Sequence, residues 1–578
     1  VLRFATGPLR APAFGPRCLP VALLPLQALP AALGDAALAA LPPVEDRSLA
    51  ARAAAAAGMA AAERIGGEPG LPEPAPEALR LPRNGAVLVL DPCRPGHDAA
   101  ARAALAAGLA AAGGRPVVLA RDPAAPGGAA PLLTPPAGVR LLAAPLSPWA
   151  LLDLAGDLHG ASAEMALLAS AAGVAVGGRR LDPVPRWAAL ITALRCADPF
   201  LARPWPLERA LEQLADWRRA QLENRRVAVC LGMAFWKRPR IAALFAHAAG
   251  TPRFSGRPQQ AIADARRQGG AVAAWASRAT PDLRAACGAA GVPLLTVEDG
   301  FVRSRGLGAR FLPGAAYAVD DRGVYYDPAR SSALEQLLAH AAFPPALLAR
   351  AAALREAIVA RGVTKYNLRG EAPAIAAPPG RPRLLVPGQV EGDASVRLGG
   401  GAIQNNLALL EAVRAAHPEA FLIYKPHPDL EAGFRQGRLE ARALAALADQ
   451  VVTGAPLTAL FGQVDALHTL TSLSGFEALL RGVPVVTWGQ PFYAGWGLTE
   501  DRNPPPRRGR RLTLDELVAA ALILFPRQVD PVTELPCPPE VVLERLDDPA
   551  AWRLSPLTLH RGLEGRVRAA LSRLRRLR

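Results

Sequence analysis

Two neighbouring acids, Glu298 and Asp299, close an apolar run in "TVEDGFVRSRGLG" (296–308). Neighbouring carboxylates split their pKa values, so the pair suits proton transfer, with Glu298 as the general acid/base candidate. The plainer alternative is an Asp-Gly turn with solvated charges. Asp393 lies in a Gly-rich loop, "VPGQVEGDASVRLGG" (386–400), among small residues that leave room for approach. A carboxylate so placed can attack an anomeric carbon, although spacing alone leaves a simple turn Asp equally open. "FLIYKPHPDL" (421–430) sets Lys425 and His427 on a proline-stiffened turn directly after a strand. Lys as a point charge and His as a donor suit a nucleotide phosphate, against a surface turn with a capping His. "TLTSLSGFEALLRGVPVVTWG" (469–489) ends a strand at Thr471 and Ser472, turns at Gly475 and opens a helix. Hydroxyls and backbone N–H groups there form an anion site, and Glu477 would reach a ribose. An ordinary N-cap explains Ser474 but not the whole string. The sequence carries no HExxH, EF-hand or Walker lysine motif, so no metal set is expected.

Such motifs need strand ends to hold them. "RVAVCLGMAF" (226–235), "AVAAWAS" (271–277) and "PLLTVEDG" (293–300) predict strands of one α/β block. After the proline-rich "GEAPAIAAPPGRPR" (370–383), "LLVPGQ", "FLIYKPH", "QVVTGAP", "ALHTLTS" and "VPVVTWG" predict strands of another. Two consecutive Rossmann-like halves around a cleft is the GT-B glycosyltransferase layout, with ligands beyond the carboxyl ends of the strands. "VDDRGVYYDPARSSALEQLL" (319–338) reads as structural, a hairpin turn followed by a helix N-cap. Upstream, "GAVLVLDP" (85–92) and "RPVVLARDP" (115–123) flank an Ala-rich helix in a βαβ pattern, after a Pro-rich linker at 68–82. Residues 187–225 read as a helical connector.

The chain has 578 residues, enough for several cores, and a net charge of +16 that calls for an anionic partner. Only three of its 66 basic residues are Lys: Lys237, Lys365 and Lys425. Against an Arg-dominated background, a retained Lys marks a place where a compact ammonium is needed. The Arg-rich tail "HRGLEGRVRAALSRLRRLR" fits either a basic helix on an anionic lipid surface or a solvated helix. No zinc-finger, RRM or helix-turn-helix signature supports nucleic-acid binding. Six scattered Cys without a CxxC read as reduced thiols. "CLPVALLPLQALPAAL" (18–33) has the apolar run of a signal peptide, but three Pro argue against a spanning helix.

Together "VEDGFVRSRGLG", "DDRGVYYD", "TKYNL", "GQVEGDASV", "KPHPD", "TSLSGFEALLRGVPV" and "GQPFYAGWGLTEDR" resemble the capsular polysaccharide β-Kdo transferase family, over about residues 225–545. All three Lys are then placed: Lys237 in "GMAFWKR", Lys365 in "TKYNL" and Lys425 in "YKPHPD". The resemblance implies tandem GT-B modules that use CMP-Kdo as donor, with no other cofactor. They build a β-linked oligo-Kdo linker on a phosphatidylglycerol-type lipid at the cytoplasmic face of the inner membrane. It implies retention through a covalent Kdo adduct, on Asp393 by motif, with Glu298 as acid/base. Lys425, His427, Ser472, Gly475 and Glu477, with Arg303 and Gln490, would hold CMP and the Kdo carboxylate. Implied partners are a lipid-linked Kdo acceptor, anionic inner-membrane lipids, a single-module Kdo transferase and the capsule export machinery; nucleic acid is not among them.

The expected division is a degenerate or truncated α/β module at 1–186, the connector at 187–225, and GT-B halves at 226–370 and 380–545. A basic helix follows at 546–578. The first module departs from the pattern. It has no "EDG", "KPHPD" or "SGFEALL" string, only a remnant Asp loop ending in Asp98 and an eroded helix motif at 158–176. One active module and one linkage type are therefore expected. Two other readings stay open: a CDP-glycerol-type glycerophosphotransferase, and a non-catalytic export scaffold.

Overall fold

Short apolar runs that stop at Gly, Pro or an acid form the strands, and their burial shows the sheet type. Ala86–Asp91, Val227–Leu231 and Phe421–Lys425 are buried along their whole length rather than at alternate residues. Unbroken burial is the mark of parallel strands covered by helices on both faces. The computed structural model describes residues 4–25, 41–125, 128–304, 313–365, 367, 371, 373–431 and 439–552. It is a mixed α/β chain with several multi-stranded sheets, in two compact units: Val1–Asn224 with Ala246–Gly250, and Arg225–Phe245 with Thr251–Arg578.

The first unit carries a six-stranded sheet in the spatial order Arg140–Leu142, Val117–Arg121, Ala86–Asp91, Ala155–His159, Ala175–Val176, Arg179–Arg180. All neighbours are parallel except the last pair. A small antiparallel sheet joins Phe4–Thr6 and Ala22–Pro25 to Arg195–Ala197 and Pro204–Trp205. The helical connector expected at 187–225 is therefore corrected. Helix Pro183–Ala193 ends in it, both short strands lie within it, and only Leu207–Asn224 is a long helix. Proline and a β-bridge partner drawn from far upstream hid those strands from any local pattern. The apolar run at 18–33 begins with strand Ala22–Pro25, and its remainder lies outside the described residues.

Among the described residues the second unit has two sheets. The first runs Arg253–Ser255, Val227–Leu231, Ala271–Trp275, Leu294–Asp299, all parallel. Ala316–Asp320, Pro526–Val529 and Pro536–Cys537 continue it antiparallel. The last two strands correct the boundary expected at 380–545, because the chain returns from the second sheet to complete the first. "PRQV" is too short to read as a strand, and its partner is far away in sequence. The second sheet is wholly parallel: Gln450–Val451, Phe421–Lys425, Arg383–Pro387, Ala466–Thr469, Val485–Thr487, Glu500–Asp501. In chain order this is 3-2-1-4-5-6, a doubly wound sheet whose direction of winding reverses between Arg383–Pro387 and Ala466–Thr469. Leu385, Leu410, Leu422 and Ile423 are fully buried around those strands. Cutting any one to Ala would cost about 2–5 kcal/mol.

No hairpin closes at 321–323. Ala316–Asp320 pairs backward with Leu294–Asp299, and Ser332 caps helix Ala333–His340 as expected. The basic helix expected at 546–578 lies outside the described residues beyond 552. Among the described residues no helix is long and apolar enough to cross a membrane.

Candidate active site

A sheet whose winding reverses leaves a crevice at the reversal, because the loops after the two central strands depart in opposite directions. Here those loops are Gly388–Asp393, after Arg383–Pro387, and Leu470–Ser472, after Ala466–Thr469. Gln389 ties them together. Its Nε2 donates to Thr471 Oγ1 at 3.0 Å, and its Oε1 accepts from Thr471 N at 3.0 Å. Asn406 fixes Gln389 in turn, accepting its backbone N–H at 2.8 Å. The cleft above them is lined from the second half by Asp393, Lys425, His427, Ser472, Ser474 and Glu477, and from the first by Phe301, Tyr325, Tyr326 and Lys365.

Asp393 is the N-cap of helix Ala394–Gly399 but its side chain makes no capping hydrogen bond. An N-cap Asp ordinarily turns back onto the first-turn amides. This one leaves them and stands exposed in the cleft. Gly392 before it has φ +78°, a left-handed turn that a side chain would strain. Lys425 ends its strand with only 3% exposure, and its Nζ donates to the Pro426 carbonyl at 3.3 Å. His427 Nδ1 accepts the Asp429 amide at 3.1 Å. A neutral ring held that way carries its proton on Nε2, the donor form. Ser472 caps helix Leu473–Leu479, and Ser474 Oγ donates to its hydroxyl at 2.7 Å.

Glu298 and Asp299 end the strand Leu294–Asp299 and differ sharply. Burial, then the neighbouring Asp299 charge, raises Glu298 to about 7. Burial also acts to raise Asp299, but Arg303 and Lys237 outweigh it and hold Asp299 below the usual carboxylate range. Lys237 Nζ lies 3.0 Å from Asp299 Oδ1 and 3.5 Å from the centre of the Trp275 ring. Arg303 Nε lies 2.9 Å from Asp299 Oδ2. The pair is thus a fixed anion beside a carboxyl that can carry a proton near neutrality, the division of labour that acid/base chemistry needs.

The structure brings Asp393, Lys425, His427, Ser472 and Glu477 together. Three expected residues sit elsewhere. Arg303 is fully buried behind Asp299 rather than in the cleft, because an uncompensated Asp299 there would be costly. Gln490 donates to Asn503 Oδ1 at 3.3 Å, while its neighbours Pro491 and Phe492 reach the cleft. Gly475 faces the Tyr493 hydroxyl, 2.2 Å from where a Cβ would stand, so it makes room for packing rather than for ligand. Glu477 does line the cleft, but its Oε1 accepts the Lys365 backbone N–H at 2.7 Å and ties that loop to the helix. Glu298 stands beside the cleft, close enough for its charge to act on Tyr325 and Tyr326.

Tyr325 and Tyr326 overturn the structural reading of 319–338. The turn after Asp320 carries both into the cleft, where Tyr325 packs edge-on against Phe301 at 4.9 Å. Their signals were two adjacent aromatics and a place in the motif "DDRGVYYD". Lys365 was visible as a rare Lys, and it lines the cleft with Lys425, while Lys237 serves behind it.

The first unit repeats the winding order with other occupants. Asp91 accepts the amides of Cys93, Leu132 and Leu133, each at 2.8 Å. Asp122 accepts those of Ala124 and Ser162. Part-buried Glu164, raised to about 7 by desolvation, pairs with Arg10 at 2.8 Å. Asp98 merely opens helix Asp98–Ala110, and helix Ala163–Ala172 stands where 158–176 was read as eroded. Carboxylates of the chain itself take up the loop amides there, and residues 1–224 contain no Lys.

A family profile described as capsule polysaccharide biosynthesis protein matches residues 270–527, the stretch that holds Glu298, Asp393, Lys425, His427 and Ser472. The chain belongs to the capsule polysaccharide biosynthesis family. The capsule polysaccharide modification protein LipA of Neisseria meningitidis serogroup A is 36% identical over 375 residues, 65% of this chain and 53% of that protein. The lipopolysaccharide-processing protein LpsZ of Rhizobium meliloti is 44% identical over 239 residues, 41% of this chain and 54% of that protein. The chain thus spans about half the length of these family relatives. Among solved structures, the Thermosulfurimonas dismutans KpsC β-Kdo 2,7 transferase is 31% identical, with TM-score 0.47 over 56% of this chain and 98% of that one. The corresponding β-Kdo 2,4 transferase gives 0.48 at the same identity and coverage.

Proposed function

We propose that the chain is a retaining β-Kdo glycosyltransferase of GT-B type, moving Kdo from CMP-Kdo to a Kdo-terminated lipid acceptor in capsule linker synthesis. The observation that carries this reading is one cleft holding an uncapped Asp393 with Lys425, the His427 donor and the Ser472 turn. The motifs that resemble the Kdo transferases are the ones that line it.

In the first step an Asp393 carboxylate oxygen bonds to the anomeric carbon as the bond from that carbon to the CMP phosphate oxygen breaks. The electron pair leaves on the phosphate, where Lys425 and His427 Nε2–H balance the charge. In the second step the acceptor hydroxyl oxygen bonds to the same carbon, the bond to Asp393 breaks, and Glu298 takes the hydroxyl proton. Two inversions retain the configuration. Donor and acceptor suffice, so no resident cofactor is called for. The first unit, with its loop amides taken by its own acids, has no part in the chemistry, so one linkage type is made. The acceptor lipid is of the phosphatidylglycerol type, and the chain works as a peripheral protein at the cytoplasmic face of the inner membrane. A single-module Kdo transferase supplies the first Kdo, and the export machinery takes the product.

The test is transfer from CMP-Kdo, generated in situ, to a synthetic Kdo-terminated lipid, read by product mass. One Kdo increment is expected, and none from Asp393→Ala, whose fold should be unchanged because the carboxylate caps nothing. Normal turnover by that variant removes the mechanism. Use of CDP-glycerol instead of CMP-Kdo, or no transfer by folded protein, removes the function.

A further inference from the structure

Phe235 is 65% exposed, the most exposed large apolar side chain among the described residues. It sits at the tip of the turn between strand Val227–Leu231 and helix Arg238–Leu244, and that turn is clamped. Gly232 N donates to Ser255 O at 3.1 Å, Lys237 N to Ala234 O at 2.9 Å, and Lys237 Nζ to Asp299 Oδ1 at 3.0 Å. Gly232 adopts φ +70°, with the Arg278 side chain packed where a Cβ would stand. The backbone on either side of Phe235 is therefore held in place. A rigid turn holding an aromatic in water gives up about 2 kcal/mol that burial would recover.

Around it are cations. Arg238, Arg253, Arg257 and Arg278 are all exposed. The Arg238 guanidinium lies 5.7 Å from the centre of the Phe254 ring, and Arg253 and Arg257 line a shallow groove with Phe254. The acid in that groove, Asp264, is already paired with Arg267. One exposed aromatic on a turn flanked by Arg238 and Arg278, with more Arg in the adjoining groove, is the chemistry of insertion into an anionic interface. A folded protein partner needs roughly 800 Å² of complementary surface per side, with an apolar centre of several residues, which one ring does not supply.

We infer that the Gly232–Arg238 turn and its flanking arginines form a docking surface for an anionic lipid bilayer, with Phe235 entering the headgroup layer. The surface is the rim of the half that carries Glu298, since Lys237 joins the turn to Asp299. It rests on the reading above for the choice of lipid over protein, and its test uses neither donor nor acceptor, so each can fail alone.

The experiment is co-sedimentation of the full chain with phosphatidylglycerol/phosphatidylcholine vesicles and with phosphatidylcholine vesicles alone. Phe235→Asp should lower partition onto the anionic vesicles about tenfold, and Phe235→Leu should keep most of it. Arg278→Gln should lower it about fivefold, and added salt should abolish that difference. The thermal midpoint of Phe235→Asp should match wild type, which shows that the fold is kept. If Phe235→Asp and Arg278→Gln both partition like wild type, the inference is overturned. Equal binding to both vesicle types, or capture by an acidic protein without vesicle binding, overturns it too.

Discussion

Gly475→Ala turns a close approach into a measurable clash. A Cβ at 475 would stand 2.2 Å from Tyr493 Oη, 2.7 Å from Cζ and 2.9 Å from Cε2. Tyr493 is wholly buried, its ring lies against Phe492 at 5.2 Å, and its hydroxyl donates to the Ser472 carbonyl at 2.5 Å. The ring has nowhere to retreat, so either it gives up that hydrogen bond or the Ser472 turn moves. Overpacking of a dense core costs about 1–3 kcal/mol. Losing the hydrogen bond of a buried hydroxyl adds about 1 kcal/mol. The expected loss is thus about 2–4 kcal/mol, read from the urea midpoint of the second unit by tryptophan fluorescence. Weaker CMP binding in calorimetry should accompany it, because Ser472 and Ser474 line the cleft. Tyr493→Phe removes the atom in worst contact. Combined with Gly475→Ala, it should destabilise by about 1 kcal/mol less than the sum of the single changes. A Gly475→Ala protein within about 0.5 kcal/mol of wild type, or strict additivity, refutes the argument.

With Glu298 raised to about 7, its proton-accepting carboxylate becomes the major form only above that pH. The rate of the base-assisted step should therefore climb as pH rises through 7, and Glu298→Gln should leave a low, flat profile. Lys237 acts to lower Glu298, so Lys237→Met should move that limb to higher pH by about one unit, checked in the same pH series. Removing the Nε2–H of His427 with His427→Phe should weaken CMP by about tenfold in calorimetry while leaving the thermal midpoint close to wild type.

Much of the site was legible because its signals were local. A strand such as "FLIYK" announces itself by unbroken apolar and β-branched residues, and the residue types after it say what its end can hold. Glu298, Lys425, His427 and Ser472 were singled out this way, whereas Asp393 stayed open on spacing and was chosen by the family resemblance. The misses share dependence on a partner, near or far in the chain, that the residue's own type does not reveal. Arg303 reads like a cleft cation until Asp299 is seen to need it. Tyr325 and Tyr326 read as a turn until the loop's path is known. Gly475 reads as a phosphate-loop glycine until Tyr493, from another motif, is found lying on it. Strand Pro526–Val529 has no pattern of its own and is a strand only because Ala316–Asp320 offers it an edge.

That last pairing also governs how the chain can be made. Ala318 meets Pro526, so on a ribosome adding ~5–20 residues per second the first sheet waits roughly ten to forty seconds for its neighbour. Throughout that interval Ala316–Asp320 is a bare edge, open to pairing with the same strand of another nascent chain. Any message that stops before the Pro526 codon would leave the half that carries Glu298 permanently in that condition, so truncation should yield aggregate rather than a smaller folded protein.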